Sequence, residues 1–152
     1  MCSVKSEFQV RPARPGDIEQ LCAFAKDFLK KLNVESSVTV IPLVFERILS
    51  SPDLGIVLVA DHDGELCGYA YAGFLWRTEF GETMDLVTLF TAESWRKKGV
   101  GRSLVAGLVE IAKQRNIHRI SAEVRPENSA IERALESSGF DPERRTLWGM
   151  RV

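Results

Sequence analysis

The sequence predicts an α/β fold: a mixed central sheet with helices on both faces, its elements in the order βααβββαβαβ. Three observations carry this. Segments with strand-like alternation and segments with a 3.6-residue apolar period interleave along the whole chain. Two turn signals, "DHDG" and "RTEFGE", join consecutive strands in the middle. The 152 residues contain no internal repeat, low-complexity tract or linker, so one domain, 1–152, accounts for them.

The elements follow in turn. "FQVRP", Phe8 to Pro12, alternates like a short strand. From Asp17 the positions Ile18, Leu21, Cys22, Ala25, Phe28, Leu29 and Leu32 keep a helical period, and Asp17 with Gln20 resembles a capping box. A second helix runs from about Thr39 to Leu49, with Ile41, Val44, Phe45, Ile48 and Leu49 on one side. "GIVLVA" reads as a buried strand, Glu65 to about Trp76 as a third and Thr83 to Thr91 as a fourth. A glycine turn leads into an amphipathic helix marked by Val100, Leu104, Val105, Leu108, Ile111 and Ala112. A fifth strand, Arg119 to Val124, a helix from Ser129 to Ser138 stopped by Gly139, and a last strand near Thr146 to Val152 complete the order.

Composition narrows the function classes. Hydrophobic residues make up 45% and charged ones 27%, as in a soluble globular protein. No apolar run approaches the roughly 20 residues that cross a bilayer, so no membrane partner is expected. The formal net charge of -1 supplies no global attraction for nucleic acid. The N-terminus lacks the pattern of a secretory signal, and Cys2, Cys22 and Cys67 form no metal or disulfide spacing; both point to the cytoplasm and to no metal. Oligomeric state is not legible, and a homodimer stays open.

The stretch "SWRKKGVGRSLV" raises the functional question, because it places Arg96, Lys97, Lys98 and Arg102 around Gly99 and Gly101 at a strand-to-helix junction. The first N–H groups of a helix have no intrahelical partner, and the helix dipole puts about half a positive charge there. A phosphate satisfies both, and glycines let the backbone close on it. No GKS or GKT follows and no GxGxxG is present, so neither a P-loop nor a dinucleotide fingerprint explains the turn. A pyrophosphate cradle and a solvated basic turn are the two readings left by the residues alone.

"LFTAESWRKKGVGRSLV" resembles the acyl-CoA-binding motif of the GCN5-related N-acetyltransferase (GNAT) superfamily, with Arg96, Gly99 and Gly101 at the positions of its R/Q-x-x-G-x-G/A turn. "EVRPENSAIERALESSGF", Glu123 to Phe140, is similar to the following strand and helix of that family. The resemblance implies that the backbone of Lys97, Lys98, Gly99, Val100, Gly101 and Arg102 cradles the diphosphate of acetyl-CoA as co-substrate. It implies that the main chain of Leu89, Phe90 and Thr91 pairs with the pantetheine arm like an added strand. Asn128 either contacts that arm or caps the next helix.

The implied reaction is acetyl transfer to a primary amine by direct attack in a ternary complex. It needs a base for the amine, an N–H for the oxyanion and an acid for the departing thiolate. Glu123 is the first candidate base, since "EVRPEN" resembles the ribosomal-protein alanine N-acetyltransferases, where a glutamate here acts so. Its alternative is an ion pair with a neighbouring Arg. Polyamine acetyltransferases carry a base at the position of Val87, and Asp85, two residues earlier, is the substitute offered here. Relatives place an acidic tyrosine where this chain has Leu135; Ser137, Ser138 or water are what remain, since the only tyrosines are Tyr69 and Tyr71. Cys22, Cys67, His62 and His118 read as core or surface rather than catalytic, and Trp76, Phe80 and Trp95 as an acceptor lining or as packing.

Acids at Glu35, Glu79, Glu82 and Asp85 suit a small cationic amine, whereas "EVRPEN" points to a peptide N-terminus as acceptor. The missing tyrosine keeps open a different class, a non-catalytic acyl-CoA-binding or interaction module with the same fold. A protein holding another diphosphate is a third class, and competition between acetyl-CoA and ATP separates it.

Overall fold

The computed structural model describes residues 7–35, 39–126 and 128–152. Cys2, named above, and Glu127, within the quoted "EVRPEN", lie outside them. Five strands form one sheet in the order β1-β2-β3-β4-β5: β1 (Gln9–Pro12), β2 (Gly55–His62), β3 (Glu65–Arg77), β4 (Gly81–Thr91) and β5 (Ile120–Ala122). The first four are antiparallel neighbours and β5 runs parallel to β4. Helices α1 (Ile18–Lys31), α2 (Val40–Ser50), α3 (Val100–Gln114) and α4 (Ser129–Ser137) cover both faces, as the sequence predicts.

Side-chain alternation along β2 explains the two layers. Val57 and Val59 point to one face, where Leu21 and Ala25 of α1 and Ile41, Phe45 and Ile48 of α2 close a core over Tyr69 and Phe90. Leu58 and Ala60 point to the other, where Leu104, Val105, Leu108 and Ala112 of α3 pack with Ala70, Ala72, Met84 and Leu86. A β2 strand buried on both faces reads as an unbroken apolar run for this reason. Gly107 sets the approach of α3: a Cβ there would stand 2.8 Å from Leu58 Cδ1. The β2–β3 hairpin turns on Asp63 (φ 50°) and Gly64 (φ 93°), and Asp61 Oδ1 accepts the Gly64 N–H at 2.7 Å.

At the β1 edge the charges are mutually satisfied. The Arg11 guanidinium donates to Asp17 Oδ2 (2.8 Å) and Oδ1 (3.0 Å) and to Asp61 Oδ2 (3.0 Å), and the Arg14 N–H donates to Asp17 Oδ2 at 2.7 Å. The Asp17 carboxyl is held below its ordinary range, chiefly by the Arg11 hydrogen bonds. The expected Asp17/Gln20 capping box is therefore not formed. Gln20 instead accepts the Leu66 N–H at 3.0 Å and donates to Gly64 O at 3.1 Å, tying α1 to the hairpin.

At the opposite edge two expectations are corrected. The fifth strand is Ile120–Ala122, shorter than Arg119 to Val124, because its ladder with β4 ends at Leu86. The last strand, Thr146 to Val152, does not form: residues 141–152 make no ladder, and Leu147, Trp148, Met150 and Val152 are fully or largely exposed. Alternation supplied the strand signal, but a strand needs an edge to pair with, and no described residue offers its backbone to this segment.

Candidate functional site

The site is built where β4 changes partners. Tyr71 pairs with Thr88 and Ala72 with Leu86, so Val87 is an extra, bulged residue on β4. The β4–β5 ladder consists of Met84, Asp85 and Leu86 against Ile120, Ser121 and Ala122, and stops there. From Thr88 to Thr91, β4 is paired with β3 on one side and with no described strand on the other. Leu89, Phe90 and Thr91 thus lie on an open edge, able to accept an extended ligand as a further strand. The bulge left a trace in the sequence: the core-facing residues Met84 and Leu86 are two apart, but Leu86 and Leu89 are three apart.

That open edge runs into the glycine turn. Lys97 (φ 62°) and Gly99 (φ 80°) take left-handed conformations, and α3 starts at Val100. Its first bond joins the Ser103 N–H to Gly99 O at 3.0 Å. The N–H groups of Val100, Gly101 and Arg102 therefore have no backbone acceptor among the described residues. A Cβ on Gly101 would lie 3.8 Å from Ala134 Cβ and Leu89 Cδ2 and 3.9 Å from Thr91 Oγ1, so a methyl fits at ordinary contact distance and a larger group would extend toward these neighbours. Two of the four cations are already engaged. Lys98 Nζ lies 4.8 Å from the Trp95 ring centroid and 3.8 Å from Glu7 Oε2, and Arg102 Nε donates to Ser137 Oγ at 3.0 Å. Arg96 and Lys97 have no ion pair among the described residues. The turn presents main-chain donors first and side-chain charge second.

The candidate acids separate in space. Glu123 is the first residue beyond the last pair on β5, as Val87 is on β4, and it is exposed with no ion pair among the described residues. Asp85 is committed elsewhere: its Oδ1 accepts from Ser121 Oγ at 2.6 Å and its Oδ2 from Arg77 Nη2 at 3.2 Å. Glu82 accepts from Arg115 Nη2 at 2.7 Å. Asn128 stands at the N-cap position of α4, yet its side chain makes no capping hydrogen bond.

No hydroxyl stands where the resemblance expects one. Leu135 is buried in the core beneath α3, and Ser137 and Ser138 donate to Ala134 O at 3.0 and 2.7 Å. Tyr69 is buried on the α1/α2 face, where burial raises its pKa; Tyr71, half-buried, is raised by the same cause. Tyr71 and its partner Thr88 flank the bulge, a placement the sequence did not single out because the pairing register decides it. Burial pushes the Cys67 thiol up to about 11, and Cys22 is shifted upward as well, which leaves neither as a nucleophile. Trp95 does not join Trp76 and Phe80. It packs edge-on against Phe8, ring centroids 6.2 Å apart, whereas Trp76 is 80% exposed at the β3–β4 hairpin. His118 is exposed, and His62 contacts Trp95 and Glu7 O. Among the described residues, no cluster of three or more His, Cys, Asp or Glu could hold a metal, and no helix is long and apolar enough to cross a membrane.

A mixed sheet whose fourth strand bulges, frees one edge and is followed by a glycine turn into a helix defines an α/β protein with unpaired helix N–H groups beside an open strand. The sequence matches the acetyltransferase (GNAT) family over residues 19–140, and the chain belongs to that family. No curated protein is similar enough in sequence to match it. Among solved structures, it is similar to the aminoglycoside N-acetyltransferase AAC(6')-Iy in complex with CoA, at 18% identity and TM-score 0.85 over 99% of both chains. It is also similar to a possible acetyltransferase from Clostridium difficile 630, at 18% identity and TM-score 0.83 over 95% of this chain and 97% of that one. A predicted acetyltransferase from Clostridium acetobutylicum, solved with acetyl-CoA, gives 20% identity and TM-score 0.78 over 94% and 96%. At these identities the likeness establishes a shared fold.

Proposed function

We propose that the chain transfers an acetyl group from acetyl-CoA to a primary amine by direct attack. One observation carries the reading: the free edge of β4, ending at Thr91, is followed through a single 3-10 turn (Glu93–Trp95) and the glycine turn by three N–H groups without a backbone acceptor at the start of α3. The first feature suits an extended amide-bearing arm and the second a diphosphate, and together they match the two halves of a coenzyme A molecule. Lys97 to Arg102 hold the diphosphate through the main chain, with Arg96 and Lys97 adding charge. Leu89 to Thr91 hold the arm, and the uncapped Asn128 amide is free to bond it. When bound, acetyl-CoA supplies an activated thioester. The bulge at Val87 puts irregular backbone beside that position, the kind of place where an N–H can meet a developing oxyanion.

Glu123 takes the proton from the acceptor amine. It stands level with the bulge and carries no competing cation, whereas Asp85 is held by Arg77 and Ser121 and so orders the β4–β5 junction. With Glu82 and Asp85 both neutralised by arginines, Glu35, Glu79 and Glu123 are the carboxylates left to attract a cationic acceptor. A small-molecule amine is the acceptor this supports, with a peptide N-terminus as the second.

The test is a thiol-release assay with acetyl-CoA across polyamines, aminoglycosides, simple primary amines and peptide N-termini. Turnover with at least one amine is expected. Glu123→Gln should lower kcat by roughly 10²–10⁴-fold with coenzyme affinity unchanged; an unaltered kcat removes Glu123 from the mechanism. Buried Leu135 and the committed Ser137 and Ser138 favour one other reading, a module that binds acyl-CoA without turning it over. Saturable coenzyme binding with no thiol release across the whole panel establishes that reading instead.

A further inference from the structure

We propose that Trp95 and Lys98 are positioning residues for the glycine turn: the Lys98 ammonium, held on the Trp95 ring, fixes the turn in the shape that aims its N–H groups at the coenzyme diphosphate. This role rests on the acetyl-CoA reading and deepens it. From Lys97 to Arg102, no N–H group has a backbone acceptor among the described residues, so no ladder shapes the stretch. Its backbone also enters a disfavoured region. Of the non-glycine residues with positive φ, Asn33, Asp63 and Asn116 are of types that tolerate it, and the remaining one is Lys97 at 62°. A lysine keeps such a conformation where its surroundings impose it.

Side chains supply those surroundings. On the helix side Arg102 Nε donates to Ser137 Oγ at 3.0 Å, and on the strand side Lys98 Nζ lies 4.8 Å from the Trp95 ring centroid. The indole is a fixed support. It is 8% exposed, and the Trp95 N–H bonds Ala92 O at 2.9 Å within the 3-10 turn Glu93–Trp95. Phe8 meets the ring edge-on at 6.2 Å, and His62 of the β2–β3 hairpin lies 5.1 Å from it. His62 Nδ1 in turn donates to Glu7 O, so the hairpin and the segment before β1 are joined beside the indole. A cation over an indole face is attracted by the ring quadrupole. The Lys98–Glu7 pair, at 3.8 Å with side chains 50% and 66% exposed, adds little. The ring is therefore the anchor, and Lys98 acts on the diphosphate through the backbone that it holds.

Calorimetry of acetyl-CoA binding and NMR of the full chain test this. In the free chain the indole should shift the Lys98 side-chain protons upfield, and that shift should persist when acetyl-CoA saturates the protein. Lys98→Met should lower acetyl-CoA affinity about 2–5-fold, the effect of losing a cation from an aromatic face. Lys98→Arg should restore it, since a guanidinium stacks on the same ring. Trp95→Leu, with Lys98 intact, should lower affinity at least as much, and the double variant should bind no more weakly than Trp95→Leu alone. If the Leu variant does not fold, Lys98→Met, its Arg rescue and the persisting ring shift decide the matter. A shift that vanishes on binding, or losses that add in the double variant, would mean that Lys98 leaves the ring for the phosphates and would overturn the proposal. A wild type that binds acetyl-CoA no better than Lys98→Met overturns the positioning role alone. A wild type that shows the ring shift yet binds no acetyl-CoA overturns the coenzyme reading together with it.

Discussion

The two edges of the sheet are built on opposite plans. At β1, Arg11 is surrounded by Asp17 and Asp61, Arg14 gives its N–H to the same carboxylate, and Gln20 bridges α1 to the hairpin. The charged side chains there are matched within the chain. At β4 and β5 they are not: three helix N–H groups, half a strand edge, the Asn128 side chain and an apolar tail are all left without partners among the described residues. Side chains already bonded within the chain hold structure together, whereas backbone and side-chain groups left to solvent are where a ligand can bond without displacing a contact of the chain.

Breaking the unmatched edge should abolish binding and spare the fold. Gly101→Phe sets a ring against Leu89, Thr91 and Ala134, the neighbours of its Cβ position and the proposed surroundings of the diphosphate. Acetyl-CoA affinity, read by calorimetry, should fall at least about 100-fold, or roughly 2.7 kcal/mol, while Tm stays within about 5 °C. Gly101→Ala, whose methyl has ordinary contact distances, should keep binding. Undiminished affinity in the Phe variant would mean the diphosphate sits elsewhere.

Breaking the matched edge should do the reverse. Asp17→Asn takes from the part-buried Arg11 its main charged partner and leaves it Asp61, a change that costs about 1–3 kcal/mol. The wild-type carboxyl has its pKa lowered from the ordinary 3.8, so folding favours its ionised form. That stability is present above the unfolded value and is lost as pH falls through the lower folded one. Urea unfolding should show the wild type weakening below about pH 5 and the Asn variant lacking that slope. Equal slopes would show that Asp17 is not the titrating group.

The same contrast explains what could be read in advance. Helices and central strands were legible because each buries one stripe or face, and the burial of Leu21, Ala25, Leu104 and Leu108 follows the period directly. The glycine turn was legible because Gly99, at φ 80°, answers a local backbone demand. Arg11–Asp17–Asp61 was not, since Asp61 joins from 50 residues away and only the β1–β2 register brings it near. The hydrogen bond from Ser121 to Asp85 escaped for the same reason, since it joins residues 36 apart in the chain that only the β4–β5 register brings together. The missing last strand failed differently: alternation describes what one strand presents, not whether an edge exists to receive it.

Leu135 lies on the boundary between the two edges, at the end of α4 but within the α3 core, and the smallest expected effect sharpens where that boundary runs. Leu135→Tyr restores the side chain that the family resemblance expects. If the position faces the core, as its 6% exposure indicates, the larger ring overpacks and its hydroxyl is left to find a partner. Stability should then fall by about 1–3 kcal/mol with turnover unchanged. A rise in kcat of tenfold or more would place the new hydroxyl beside the departing sulfur. It would also show that the wild-type site lacks an acid and nothing else, because one phenol could not create a coenzyme cradle, an oxyanion donor and a base together.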